Sequence, residues 1–199
     1  MKLVIHGNTL FAWAAASQMA ALGNDVTLCP AWSVLEQVPD GEVSRETGLS
    51  ALIQEQLAAG RLRFARGIDY LSLEIEAADH HWMAQDGSAR RLHDQCEALI
   101  SVACLRSSSE SLPVIGVLTA YPMGVLAKLS AHLANVFEYL QRQAEADKRK
   151  ISADMPVIFA FPLFVRGGSA LSDFLTPPLL LLGCDDDAVG PVLLEAFRP

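Results

Sequence analysis

The chain is short of basic residues: 15 lysines and arginines face 23 aspartates and glutamates, for a net charge of −8. A surface of that sign repels a phosphate backbone, so no nucleic-acid partner is expected. The run Asp147-Lys148-Arg149-Lys150 is too short to reverse this and reads as a solvated helix end. No stretch reaches the ~18 uninterrupted apolar residues of a membrane span; the longest, around residues 177–183, is strand-sized. The first apolar block is short and broken by a glycine turn, which does not suit a signal peptide. The four cysteines, Cys29, Cys96, Cys104 and Cys184, lack C-x-x-C spacing. Neither a metal nor a disulfide framework is expected from them, and a reducing cytoplasm is the expected setting. There is no G-x-S-x-G nucleophile elbow, no internal repeat and no low-complexity linker.

What is present begins at the first residue. Met1-Lys2-Leu3-Val4-Ile5-His6-Gly7 is a short apolar run ending in glycine, and a helical pattern starts within two residues. Strand, tight turn and helix open a dinucleotide-binding βαβ unit, in which the helix N-terminus faces a pyrophosphate. The spacing expected there is G-x-G-x-x-G, and the chain reads Gly7-Asn8-Thr9-Leu10-Phe11-Ala12. Ala12 is a mild change where the third glycine lets the helix approach the strand. Thr9 is not mild, because a β-branched side chain stands where the backbone must approach the phosphates. The second strand, at 25–29, ends in Pro30, where NAD-binding members of this fold carry an Asp or Glu for the ribose hydroxyls. Proline offers neither a carboxylate nor an N–H. The residues that would line a cofactor are thus Gly7, Asn8, Thr9, Leu10, Phe11 and Pro30, in a pocket depleted at both ends.

Strand and helix signals alternate along the rest. Helices are expected over 9–22, 31–38, 48–60, 68–76, 89–105 and 185–197, and strands at 3–6, 62–64, 79–83, 113–118, 157–161 and 179–182. One long helix is expected over about 122–148, with Leu126, Leu129, Leu133, Val136 and Leu140 in a three-then-four rhythm. That stripe reads as core packing or as a self-association seam. The pattern predicts a single α/β domain over 1–199, Rossmann-like and doubly wound, with a mostly parallel sheet.

Three separated segments resemble the UDP-glucose/GDP-mannose dehydrogenases. The first is Gly7 to Ala12, over that family's G-T-G-Y-V-G. The second is Glu46-Thr47-Gly48-Leu49 with Ala59-Gly60-Arg61-Leu62-Arg63-Phe64, over E-P-G-L…A-G-R-L-R-F. The third is Phe161-Pro162-Leu163-Phe164-Val165-Arg166-Gly167-Gly168-Ser169-Ala170 with Asp173-Phe174-Leu175, over N-P-E-F-L-R-E-G-S-A…D-F-L. The resemblance covers the family's amino-terminal, NAD-binding domain. Full members continue into a helical segment bearing a catalytic cysteine and into a nucleotide-sugar domain, and none of the four cysteines here lies in the matching motif. The family's glutamate falls on Leu163, which cannot move a proton. The resemblance therefore implies no catalytic residue in this chain and only doubtful NAD binding.

Other candidate groups read blandly. His80 and His81 point to opposite faces of a strand and cannot chelate one metal easily. His93 and His132 are isolated in the sequence, and Cys104 suits a small buried hydrophobe. His6 would face the crevice at the end of the first strand, and Arg166-Gly167-Gly168-Ser169 reads either as a plain helix start or as a cradle for an anion on backbone N–H groups. The leading expectation is a non-catalytic relative of these dehydrogenases that binds a protein partner or an altered nucleotide in nucleotide-sugar metabolism. The alternatives are an NAD-dependent dehydrogenase subunit completed by another chain, and an assembly protein forming a homodimer through 122–148.

Overall fold

A computed structural model describes residues 1–29, 45–65, 78–84, 88–106, 114–118, 121–122, 124–148, 151, 157–160, 168–175 and 183–184. The strands are β1 (Lys2–His6), β2 (Asp25–Cys29), β3 (Leu62–Phe64), β4 (His80–Met83), β5 (Val114–Val117), β6 (Ile158–Ala160) and β7 (Gly183–Cys184). The helices are α1 (Leu10–Ala21), α2 (Leu49–Ala58), α3 (Ala89–Arg106), α4 (Val125–Ala146) and α5 (Ala170–Leu175). They build one seven-stranded sheet in the order β3-β2-β1-β4-β5-β6-β7. Every pairing is parallel except β6 with β7, which is antiparallel. The Rossmann-like, mostly parallel architecture read from the alternating pattern is the one observed. The elements expected at 31–38, 68–76, 179–182 and 185–197 lie outside the described residues.

Helix α1 sits at the centre. Nine of its twelve residues, Ala12 to Ala20, are buried, so it has no solvent face of ordinary width. The reason is its alanine content. Small side chains let β1, β2 and β3 approach from below while α2 and α5 approach from the far side. The larger residues Trp13 and Met19 fill the remaining space, and Trp13 meets Phe64 edge-on with centroids 5.4 Å apart. The other face of the sheet carries α3 and α4, whose Leu92, Cys96, Ile100, Leu129, Leu133 and Phe137 close over Met83, Ile115 and Val117.

The long helix starts at Val125, three residues later than the pattern suggested. Gly124 has φ 83°, a left-handed conformation that prevents the helix from extending back to Pro122. Leu129 and Leu133 are fully buried within the chain's own core, and Leu126 and Leu140 pack at its margin. The leucine stripe is therefore committed to intrachain packing. The short helix α5 follows the helix start read at residues 166–169. Its local signal is Ser169, whose hydroxyl donates to Asp173 Oδ2 at 2.9 Å, while the Asp173 N–H donates to the Ser169 carbonyl. Among the described residues, no helix is long and apolar enough to cross a membrane.

Gly116, in β5, is flanked in register by Trp82 and Phe159. A Cβ there would stand 2.4 Å from Phe159 Cζ and 2.8 Å from Trp82 Cδ1. Those two rings meet at 88°, filling the space a side chain would need. Gly116→Ala is expected to destabilise the protein by about 1–3 kcal/mol through overpacking. Urea unfolding should show this, with Phe159→Leu in the same chain recovering part of the loss.

Candidate functional site

The chain runs outward from β1 to β3, then returns to β1's other side as β4. That reversal opens a crevice beyond the carboxyl ends of β1 and β4, where open α/β sheets take ligands. Pairing continues to its rim: the Ala84 N–H donates to the His6 carbonyl at 2.8 Å, and the Gly7 N–H to the Cys29 carbonyl at 2.9 Å. Gly7 has φ 152°, a conformation that L side chains rarely adopt, so the first glycine of the turn is needed.

Thr9 is the N-cap of α1. Its Oγ1 accepts from the Ala12 N–H at 3.1 Å and donates to the Ala84 carbonyl at 2.8 Å. One hydroxyl thus satisfies a helix-entrance N–H that would otherwise face an anion, and it straps the turn to the end of β4. Asn8 holds the turn from the other side, its Oδ1 accepting from the Trp13 indole N–H at 3.2 Å. Leu10 and Phe11 are half-buried, and the Phe11 ring leans on Phe174 of α5 at 6.2 Å. Ala12 is fully buried between helix and strand, as its place in the motif required. Of the six residues read as lining a cofactor, Gly7, Asn8, Thr9, Leu10 and Phe11 form this mouth. Pro30 lies outside the described residues.

His6 does not open into the crevice. It is 1% exposed, and its Nε2 lies 3.0 Å from His81 Nδ1, with the rings stacked at 5.3 Å. The two strands are adjacent and Val4 stands opposite His81, so His6 and His81 share a sheet face. His80 takes the opposite face, as strand alternation requires. Burial, followed by the His81 ring, pushes the His6 imidazole well below the ordinary histidine value. His80 is lowered too, first by burial, with Asp79 opposing and the chain amino terminus adding to it.

At Gly168 and Ala170 backbone N–H groups hold an anionic group, and it is the protein's own. Glu46, only 4% exposed, accepts the Gly168 N–H on Oε1 and the Ala170 N–H on Oε2, the latter at 2.9 Å. Arg166 and Gly167 lie outside the described residues. The carboxylate therefore joins two motifs more than a hundred residues apart in sequence. Histidines 93 and 132 prove not to be isolated. Their rings stack at 5.4 Å across α3 and α4, and His132 Nε2 lies 2.8 Å from Glu97 Oε2 beside an open cavity of about 390 Å³. Among the described residues no three His, Cys, Asp or Glu side chains are arranged to hold a metal. Burial pushes the Cys29 and Cys96 thiols up to about 12 and that of Cys104 to about 11, which leaves all three protonated and unreactive near neutrality.

Two outcomes follow from this geometry. Thr9→Ala is expected to cost about 1–2 kcal/mol in denaturant unfolding, since it removes both a cap and the bond to Ala84, while Thr9→Ser retains most of the stability. The second concerns acid. His6 and His80 are neutral in the fold but titrate near the ordinary histidine value of about 6.5 once unfolded. Below that pH the unfolded chain binds more protons, so stability is full above it and falls as pH drops toward the lowered folded values. The slope approaches about 1.4 kcal/mol per pH unit for each group. Thermal melts from pH 7.5 to 5 should show it, with a shallower slope in His6→Gln.

No family model matches the chain. The UDP-glucose 6-dehydrogenase of Rhizobium meliloti (strain 1021) is 26% identical over 159 residues, which cover 77% of this chain and 32% of that enzyme. Among solved structures, the GDP-mannose dehydrogenase of Pseudomonas aeruginosa, crystallised as a ternary complex, superposes with a TM-score of 0.71 at 20% identity. The match covers 99% of this chain and 44% of that one. The UDP-glucose dehydrogenase of the archaeon Pyrobaculum islandicum gives 0.68 at 21% identity over 98% and 43%. The chain thus spans less than half the length of these relatives. In sequence and in fold, it resembles the amino-terminal, dinucleotide-binding domain of the UDP-glucose/GDP-mannose dehydrogenases.

Proposed function

We propose that this protein is a non-catalytic relative of the nucleotide-sugar dehydrogenases, whose crevice does not hold NAD in the ordinary dinucleotide pose. It serves instead through a protein partner or an altered nucleotide ligand in nucleotide-sugar metabolism. The observation that carries this reading is the Thr9 strap. Its hydroxyl consumes the Ala12 N–H and is anchored to Ala84, so the side chain stands where a pyrophosphate must meet backbone. A residue tied at both ends cannot swing aside without breaking two hydrogen bonds. At the ribose end, Pro30 supplies no carboxylate, and the segment that would supply a catalytic carboxylate has Leu163 in its place. The residues present therefore do not fit NAD as ordinary members of the fold hold it. The resemblance to UDP-glucose and GDP-mannose dehydrogenases supports the link to nucleotide-sugar metabolism.

Calorimetry with NAD and NADH is expected to give dissociation constants no tighter than about 1 mM, or roughly −4 kcal/mol. Thr9→Gly should tighten binding at least tenfold, because it frees the helix entrance at little cost in capping. Micromolar binding by the unaltered protein, together with hydride transfer from UDP-glucose or GDP-mannose, would overturn the proposal.

A further inference from the structure

We infer that the groove between the amino-terminal turns of α3 and α4 binds a small, hydroxyl-bearing phosphate monoester. The site is separate from the crevice and does not depend on what the crevice holds. Its cavity, about 390 Å³, has the size of a small-molecule site. The two helices run parallel, because each returns the chain between parallel strands, β4 to β5 and β5 to β6. The His93 ring stacks on that of His132 at 5.4 Å, which sets those two positions about level. Arg90 lies three residues before the first and Lys128 four before the second, so their levels differ by only about 1.5 Å. Both line the cavity and both are exposed, one on each rim. Among the described residues, neither the Arg90 guanidinium nor the Lys128 ammonium has an ion-pair or hydrogen-bond partner.

Cations so placed oppose both helix dipoles, which favour acidic residues in the first turn, and neither helix has one there. The pair forms a doubly positive rim on a chain of net charge −8. Glu97 does not neutralise it, since its Oε2 lies 2.8 Å from His132 Nε2 and is engaged there. A tetrahedral dianion suits two cations on opposite rims, whereas one guanidinium alone satisfies a planar carboxylate. The rest of the ligand is set by Asp94, the other acid lining the cavity, one turn beyond Arg90 and exposed. Asp94 repels a bare anion but accepts a hydrogen bond from a hydroxyl about 6 Å further along the groove. An anion at one end and a hydroxyl at the other is the make-up of a phosphorylated polyol or sugar.

Titration of the purified chain at fixed ionic strength, followed by calorimetry and by amide NMR, tests this with glycerol 3-phosphate, inorganic phosphate and glycerol. Glycerol 3-phosphate is expected to bind with a dissociation constant below about 1 mM, inorganic phosphate several-fold more weakly, and glycerol not at all. Arg90→Gln and Lys128→Gln should each weaken the ester at least about fivefold, with melting curves unchanged because both side chains are exposed. Asp94→Asn should tighten inorganic phosphate and shrink the preference for the ester. Amide shifts should fall on residues 88–97 and 124–132. No saturable binding of the ester up to about 20 mM overturns the inference. So does binding indifferent to both cation variants, an ester preference unchanged in Asp94→Asn, or shifts centred on Gly7 to Phe11.

Discussion

Burial of α1 on nearly every side is the constraint from which the rest follows. A helix that must touch a sheet below and two helices above can carry few large side chains, and α1 meets that demand with alanine. Close approach makes the position of its first turn a matter of tenths of an ångström. The turn is fixed accordingly: Gly7 allows the bend, Asn8 ties it to Trp13, and Thr9 ties it to Ala84. A dinucleotide fold normally leaves such a helix entrance open for a phosphate. Here the orphan N–H of Ala12 is satisfied by the chain, so the interaction that steadies the scaffold is the one that alters the pocket.

A second long-range tie follows the same logic. The Glu46 carboxylate takes the backbone N–H groups of Gly168 and Ala170, an arrangement suited to any anion. It joins the start of α2 to the start of α5, the two helices that cover α1. Charge-assisted bonds of this kind, almost closed to water, are worth more than exposed ones. Two of the three segments that resemble nucleotide-sugar dehydrogenases are thus halves of one structural clasp, which accounts for framework residues persisting where ligand-facing ones differ.

The histidines divide in the same way. His6 and His81 form a buried pair that joins β1 to β4 beneath the crevice, and burial above all holds the His6 imidazole well below its ordinary value. His93 and His132 stack near the surface, where Glu97 supports one of them. Identical side chains take opposite roles because one pair lies within the sheet and the other on the outer side of two helices.

Much of this was legible in the residues. Alternating strand and helix signals, the glycine turn after β1 and its incomplete glycine spacing determined the architecture and marked Thr9 as the position of interest, because both are matters of local periodicity and steric allowance. Tertiary structure decided what those residues do. The partners of Thr9, His6 and Glu46 lie 75, 75 and 122 residues away, a separation that no local pattern encodes. Whether the leucines of α4 face inward or toward a neighbour was likewise undetermined by their spacing, which both uses share. The sheet settled it by claiming them for its core, leaving Tyr139 outside.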